Sequence, residues 1–132
     1  MSYLQKTKDL HAMLDQGKDL EALDIFFHPD MKAIEKPSGT VRNGVAAQKE
    51  AVNQWLEMVQ EFHGGGTIAI TASEEDRISM TESWMEISFK GAPSPTKMEE
   101  ITVYHWEGEK IKEMTFYYHD VMLATQQITP AQ

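Results

Sequence analysis

The chain has 132 residues, a net charge of −9 and no cysteine, with 41% hydrophobic and 25% charged residues. That is enough for one domain with a core, in an ordinary globular composition. The negative balance, with Arg42 and Arg77 the only arginines, argues against nucleic acid and an anionic membrane surface, and the absence of Cys removes disulfides, zinc-thiolate sites and a thiol nucleophile.

The N-terminal Met-Ser-Tyr-Leu-Gln-Lys lacks the apolar stretch of a signal peptide, and no run approaches membrane-spanning length. The expected compartment is the cytoplasm. Ser2–Gln16 reads as a helix, with Leu4, Leu10, Met13 and Leu14 at spacings near three and four and Gly17 as its stop. Asp19 is placed to cap a second helix through Leu20, Leu23, Ile25, Phe26 and Phe27, ending at His28-Pro29. Met31–Lys36 is a strand candidate, Pro37-Ser38-Gly39 a turn and Thr40-Val41-Arg42 a second short strand.

Asn43 or Gly44 opens the longest predicted helix, running to about His63 with Val45, Val52, Trp55, Leu56, Val59 and Phe62 on its apolar stripe. Gly64-Gly65-Gly66 is read as its end. The remainder reads as sheet: Thr67–Ala72, an acidic turn at Glu74-Glu75-Asp76, Ile78–Lys90, a loop over Gly91–Pro95, then a β-rich hairpin over Lys97–Asp120 turning near Gly108. Val121–Gln132 is a tail without a clear period. Helices first and sheet last imply an α+β arrangement in one domain, residues 1–132, with its core at about 3–120.

This order resembles the nuclear-transport-factor-like superfamily, which includes ketosteroid isomerases and SnoaL-like polyketide cyclases. The residues that carry the resemblance are Phe26-Phe27-His28-Pro29-Asp30, Pro37-Ser38-Gly39 with Gly44, Glu82-Ser83-Trp84-Met85, Tyr104 through Ile111, and Phe116-Tyr117-Tyr118-His119-Asp120. It implies a cone in which N-terminal helices pack in a strongly curved antiparallel sheet around an apolar pocket. Alternation puts Glu100, Thr102, Tyr104 and Trp106 on one face of the hairpin, with Met114, Phe116, Tyr118 and Asp120. The opposite face is apolar too, so it needs a cover of its own. A homodimer through Trp84, Ile101, Val103, His105 and Tyr117 is expected, with a one-residue slip as the alternative that turns Trp84 into the pocket.

The catalytic residues that the resemblance implies for the isomerases fall on Lys36, Thr102 and a position near Leu10, none of which keeps the required side chain. The Asp-Arg-Asp relay of the related epoxide hydrolases is not retained either. Glu100 and Asp120 remain as acid/base candidates, set against plain readings as a salt bridge with Lys36 and as a strand-end residue. His28, Lys36, Trp55, Met58, Met85, Thr102, Tyr104, Met114, Phe116 and Tyr118 are candidate pocket residues, several of which serve equally well as core. The five histidines match no metal spacing, and the reading calls for no cofactor. The expected ligand is a small apolar molecule, with an acid/base isomerase or cyclase acting on an apolar carbonyl compound as the first reading. A non-catalytic binding or dimerisation module of the same fold is the alternative.

Overall fold

The computed structural model describes residues 2–119. Helix α1 spans Tyr3–Leu14, where Ser2 Oγ accepts the Gln5 amide at 3.0 Å. The carboxylate of Glu74, distant in sequence, takes the Tyr3 and Leu4 amides at 2.8 and 3.0 Å. A negative group thus meets the positive end of the helix, which gives one residue of the acidic turn a structural role.

Helix α2 is Asp19–Phe26 and strand β1 is Phe27–Glu35. The expected helix through Phe27 is corrected: Phe27 is already extended and 5% exposed. His28 precedes Pro29 and is biased away from helix, so the chain turns to strand there. Strand β2 (Thr40–Asn43) pairs back on β1.

Helix α3 is Val45–Met58 and strand β3 is Val59–Ser73. The predicted helix to His63 and the glycine stop are corrected. Residues 59–66 instead belong to a strand paired with β4 (Ile78–Phe89), as in Val59↔Phe89, Phe62↔Ile87 and Gly65↔Met85. Val59 and Phe62 suit either period, and the backbone bonds to β4 decide. A Cβ at Gly65 would lie 2.6 Å from the Trp84 carbonyl oxygen, so glycine is there for close approach of two strands, not to end a helix.

Strands β5 (Thr96–Glu107) and β6 (Lys110–Tyr118) form the expected hairpin, turning at Gly108 with φ 61°. The sheet order is β2-β1-β6-β5-β4-β3. All neighbours run antiparallel except β1 and β6, which are parallel, so the sheet is mixed rather than purely antiparallel. More than seventy residues separate those strands, and no tight turn constrains their relative direction. Register shifts in the β3–β4, β5–β6 and β1–β6 pairs are bulges, which bend a sheet. The result, among the described residues, is the α+β cone fold with three helices against an open six-stranded sheet. Asp120 and the tail lie outside the described residues. Among those described, no helix is long and apolar enough to cross a membrane.

Leu10, Met31, Ala33 and Ile111 are completely buried in one cluster with Tyr104, Trp106 and Met114. Trp106 stacks on Tyr3 with ring centroids 5.1 Å apart, and its Nε1 donates to Ser79 Oγ at 2.9 Å. Deleting side-chain volume from this cluster removes transfer energy and leaves a cavity. Ile111→Ala is expected to lower unfolding stability by about 2–5 kcal/mol, read as a shift of the urea midpoint at unchanged slope.

Candidate functional site

The inner face of β5 presents Glu100, Thr102 and Tyr104 at every second residue. Register places Ser83 of β4 opposite Glu100, Phe116 opposite Thr102 and Met114 opposite Tyr104. The helices cover this face incompletely. Between them and the sheet lies a cavity of about 250 Å³. Its walls are mainly apolar, with Leu10, Leu23, Phe27, Val52 and Phe116 among them. Asp15, Asp19 and Glu100 bring carboxylates to it, and among the described residues no Lys or Arg lines it.

Glu100 is the titratable group most altered for chemistry near neutral pH. Burial pushes its carboxyl up to about 7, the hydrogen bond from Thr102 opposes this, and the nearby Glu35 charge adds to it. Thr102 Oγ1 donates to Glu100 Oε1 at 3.2 Å. Behind Glu100, Glu35 pairs with Arg42 and accepts the Tyr118 hydroxyl at 2.6 Å. Arg42 Nε also donates to Gln48 Oε1 at 2.7 Å. Arg42 thus bonds both Glu35 and Gln48, while burial and the Glu35 charge hold the Glu100 pKa up.

On the opposite side, His11 stands between two hydroxyls. Its Nδ1 is 2.8 Å from Thr67 Oγ1 and its Nε2 is 2.8 Å from the Tyr104 hydroxyl. Thr67 Oγ1 donates onward to Asp15 Oδ1 at 3.0 Å. Burial lowers the His11 pKa to about 4, and the Asp15 charge only partly offsets it, so the ring is neutral at pH 7. Burial also raises the Tyr104 phenol far above its ordinary range, with the Glu100 charge reinforcing the effect. The Thr81 hydroxyl opposes that shift from close by, yet makes no hydrogen bond of full geometry. Burial raises Asp19 as well, against a backbone hydrogen bond.

Of the residues singled out from the sequence, Glu100, Met85, Thr102, Tyr104, Met114 and Phe116 come together around the cavity. Others are placed elsewhere. His28 Nε2 donates to the Glu107 carbonyl at 3.1 Å, away from the cavity wall. Lys36 is exposed with its Nζ 5.9 Å from the Tyr117 ring centroid, so the anticipated Lys36–Glu100 pair does not form. Trp55 is half-buried and Met58 is 53% exposed, and neither lines the cavity. Tyr118 sits opposite Glu100 in register but turns its hydroxyl to Glu35. Asp120 lies outside the described residues.

Trp84 pairs with Glu99 on the outer side of the sheet, with Lys97 Nζ 5.6 Å from its ring centroid, and it also borders the cavity. Ile101, Val103, His105 and Tyr117 share that outer side by alternation.

Sequence reasoning missed His11, Asp15, Asp19, Gln48 and Thr67. One signal was available for His11: a polar ring on the apolar stripe between Leu10 and Leu14 of α1. No local signal marks Thr67, because its partners are 52 and 56 residues away.

Glu100 keeps its proton to about pH 7 when folded but only to 4.5 as an ordinary carboxyl. Between those values the folded state holds more protons, so this group lowers stability as pH rises. His11 acts oppositely between about 4 and 6.5, where only the unfolded chain is protonated and stability rises with pH. The stability of Glu100→Gln relative to the wild type is therefore expected to grow by about 3 kcal/mol from pH 4.5 to 7.5, checked by urea unfolding at a series of pH values.

The SnoaL-like domain family matches residues 2–118. A candidate SnoaL-like polyketide cyclase from Mesorhizobium loti is similar in structure, with TM-score 0.77, 24% identity, and coverage of 89% of this chain and 100% of that one. An NTF2-like protein from Burkholderia thailandensis aligns with TM-score 0.78 at 14% identity over 97% of this chain and 98% of the other. A protein of ketosteroid isomerase-like fold from Catenulispora acidiphila, solved in complex with trimethylamine, aligns with TM-score 0.70 at 20% identity, covering 85% and 83%. Among curated proteins, none matches. With the family matched across both the helices and the sheet that enclose the cavity, this chain belongs to the SnoaL-like domain family.

Proposed function

We propose that the cavity binds a small apolar molecule and that Glu100 exchanges a proton with it, in an isomerisation or ring closure of an apolar carbonyl compound. The observation that carries this reading is a carboxyl with a pKa of about 7, set in a largely apolar cavity. A general acid/base works best when its pKa lies near the operating pH, because both protonation states are then populated. As a carboxylate, Glu100 takes a proton from carbon next to a carbonyl. As the acid it returns that proton at another position. The complex of a structural neighbour with trimethylamine supports a small-molecule site within this fold.

A specific observation favours a second reading, a non-catalytic binding protein. Such chemistry builds negative charge on a carbonyl oxygen, which needs donors nearby. Among the described residues no Lys or Arg lines the cavity, and the Tyr104 hydroxyl is engaged with His11. Glu100→Gln separates the two readings. In the enzyme, turnover of a carbonyl ligand found by thermal-shift screening falls on the order of 10²–10⁴-fold while binding persists. If turnover is unchanged in this variant, Glu100 is not the acid/base. The screen itself is sensitive, since ligand at a hundred times its dissociation constant adds about 2.7 kcal/mol to stability.

The outer face of the sheet supports a second part of the proposal, a homodimer. Met80, Ile101 and Tyr117 are 41%, 41% and 45% exposed there, a contiguous apolar surface across β4, β5 and β6. Light scattering at micromolar concentration is expected to give twice the chain mass of 15.0 kDa, and Ile101→Glu to return it to one chain. A wild-type particle of single-chain mass would refute the dimer.

A further inference from the structure

The hydrogen bonds around His11 have only one consistent direction. A carboxylate oxygen can only accept, so the proton of Thr67 goes to Asp15 across 3.0 Å. Thr67 then has only lone pairs left for His11 Nδ1 at 2.8 Å, and that nitrogen carries the ring proton. A neutral imidazole has one N–H. Nε2 is therefore bare and accepts the Tyr104 hydroxyl proton across 2.8 Å.

We infer that Asp15, acting through Thr67 and His11, fixes the Tyr104 oxygen as a hydrogen-bond acceptor toward the cavity, which selects ligands that bring a hydroxyl or N–H group to that wall. The inference rests on reading the cavity as a ligand site, and it names the chemistry that site takes. An unconstrained tyrosine in an apolar pocket would turn its proton to a ligand carbonyl. Here that proton is held by the ring behind it. The Thr81 hydroxyl, close to the same phenol, can occupy one of its lone pairs and leaves another.

The rest of the cavity agrees in sign. Asp15 and Asp19 also line it, and among the described residues no Lys or Arg does. Anionic ligands are disfavoured, and a neutral or protonated donor is matched. Asp15 is a positioning residue in this scheme: it does not touch the ligand group at Tyr104, and it acts by choosing the tautomer of His11. It is exposed at the C-terminal cap of α1, so its removal spares the core.

Long-range ¹H–¹⁵N spectra of labelled protein at pH 7 distinguish the two ring tautomers without any ligand. The wild type is expected to show His11 in the Nδ1–H form. Asp15→Ala frees the Thr67 proton for Nδ1, and the ring is expected to move to the Nε2–H form. A wild-type ring that is Nε2–H or doubly protonated, or an Asp15→Ala ring that stays Nδ1–H, overturns the relay. For ligand choice the probes are 2-naphthol and 2-methoxynaphthalene, alike in shape but unlike in donating a proton. The wild type is expected to bind 2-naphthol about tenfold more tightly, and Asp15→Ala to lose most of that preference. Equal wild-type affinities overturn the donor selectivity. Binding of neither probe counts against the cavity as a ligand site, while the tautomer spectra still decide the relay.

Discussion

Helix α1 docks on the inner face of the sheet over β3 and β4 and reaches β5 through its side chains, and the rest of the structure depends on that contact. Its apolar part is Leu10 in the central cluster and Tyr3 stacked on Trp106. Its polar part is the His11 bond to the Tyr104 hydroxyl, with Thr7 Oγ1 2.7 Å from Ser79 Oγ on the neighbouring strand. Burying such groups unpaired would cost about 1–3 kcal/mol each. Pairing them across the helix–sheet contact sets how α1 lies on the sheet while apolar burial supplies the driving force. The same contact makes one wall of the cavity and buries His11 and Tyr104 beside it.

That desolvation acts with opposite sign on two groups. It disfavours the charged form of each, so it holds His11 neutral and keeps Glu100 half protonated near pH 7. Charged neighbours could have reversed either result. Asp15 raises the His11 pKa, but through an intervening threonine and from an exposed position, so burial prevails. At Glu100 the nearby Glu35 charge acts in the same direction as burial, and only the Thr102 hydrogen bond opposes it. The raised pKa of Glu100 thus follows first from its burial.

The bulged sheet separates two environments on one strand. Along β5, Glu100, Thr102 and Tyr104 face the cavity, while Glu99, Ile101 and Val103 face outward. A one-residue slip would exchange them all. The register with β4 and β6 spans most of β5, and the single shift against β6 falls between His105 and Trp106, beyond the cavity residues.

Much of the fold was legible in the sequence because local periods report burial directly. The apolar stripe of α1, the alternation of β5 and β6, and the turn at Gly108 each depend on neighbours a few residues away. That Glu100, Thr102 and Tyr104 share one face of their strand, and Met114 and Phe116 one face of theirs, follows from that alternation, while the resemblance implied that these faces are inner. The end of α3 at Met58 was not legible, since Val59 and Phe62 fit helix and strand equally and only pairing with β4 decides. Nor was the partner of Lys36, which depends on the pairing of β1 with β6 that brings it beside Tyr117. Local periodicity was enough for an α+β chain with a carboxylate and a tyrosine on one face of a strand. It took packing in three dimensions to set Thr67 of β3 between His11 and Asp15 at the end of α1, and Tyr104 of β5 against the other ring nitrogen, because hydrogen bonds need partners within about 3 Å and these strands are far from the helix in sequence.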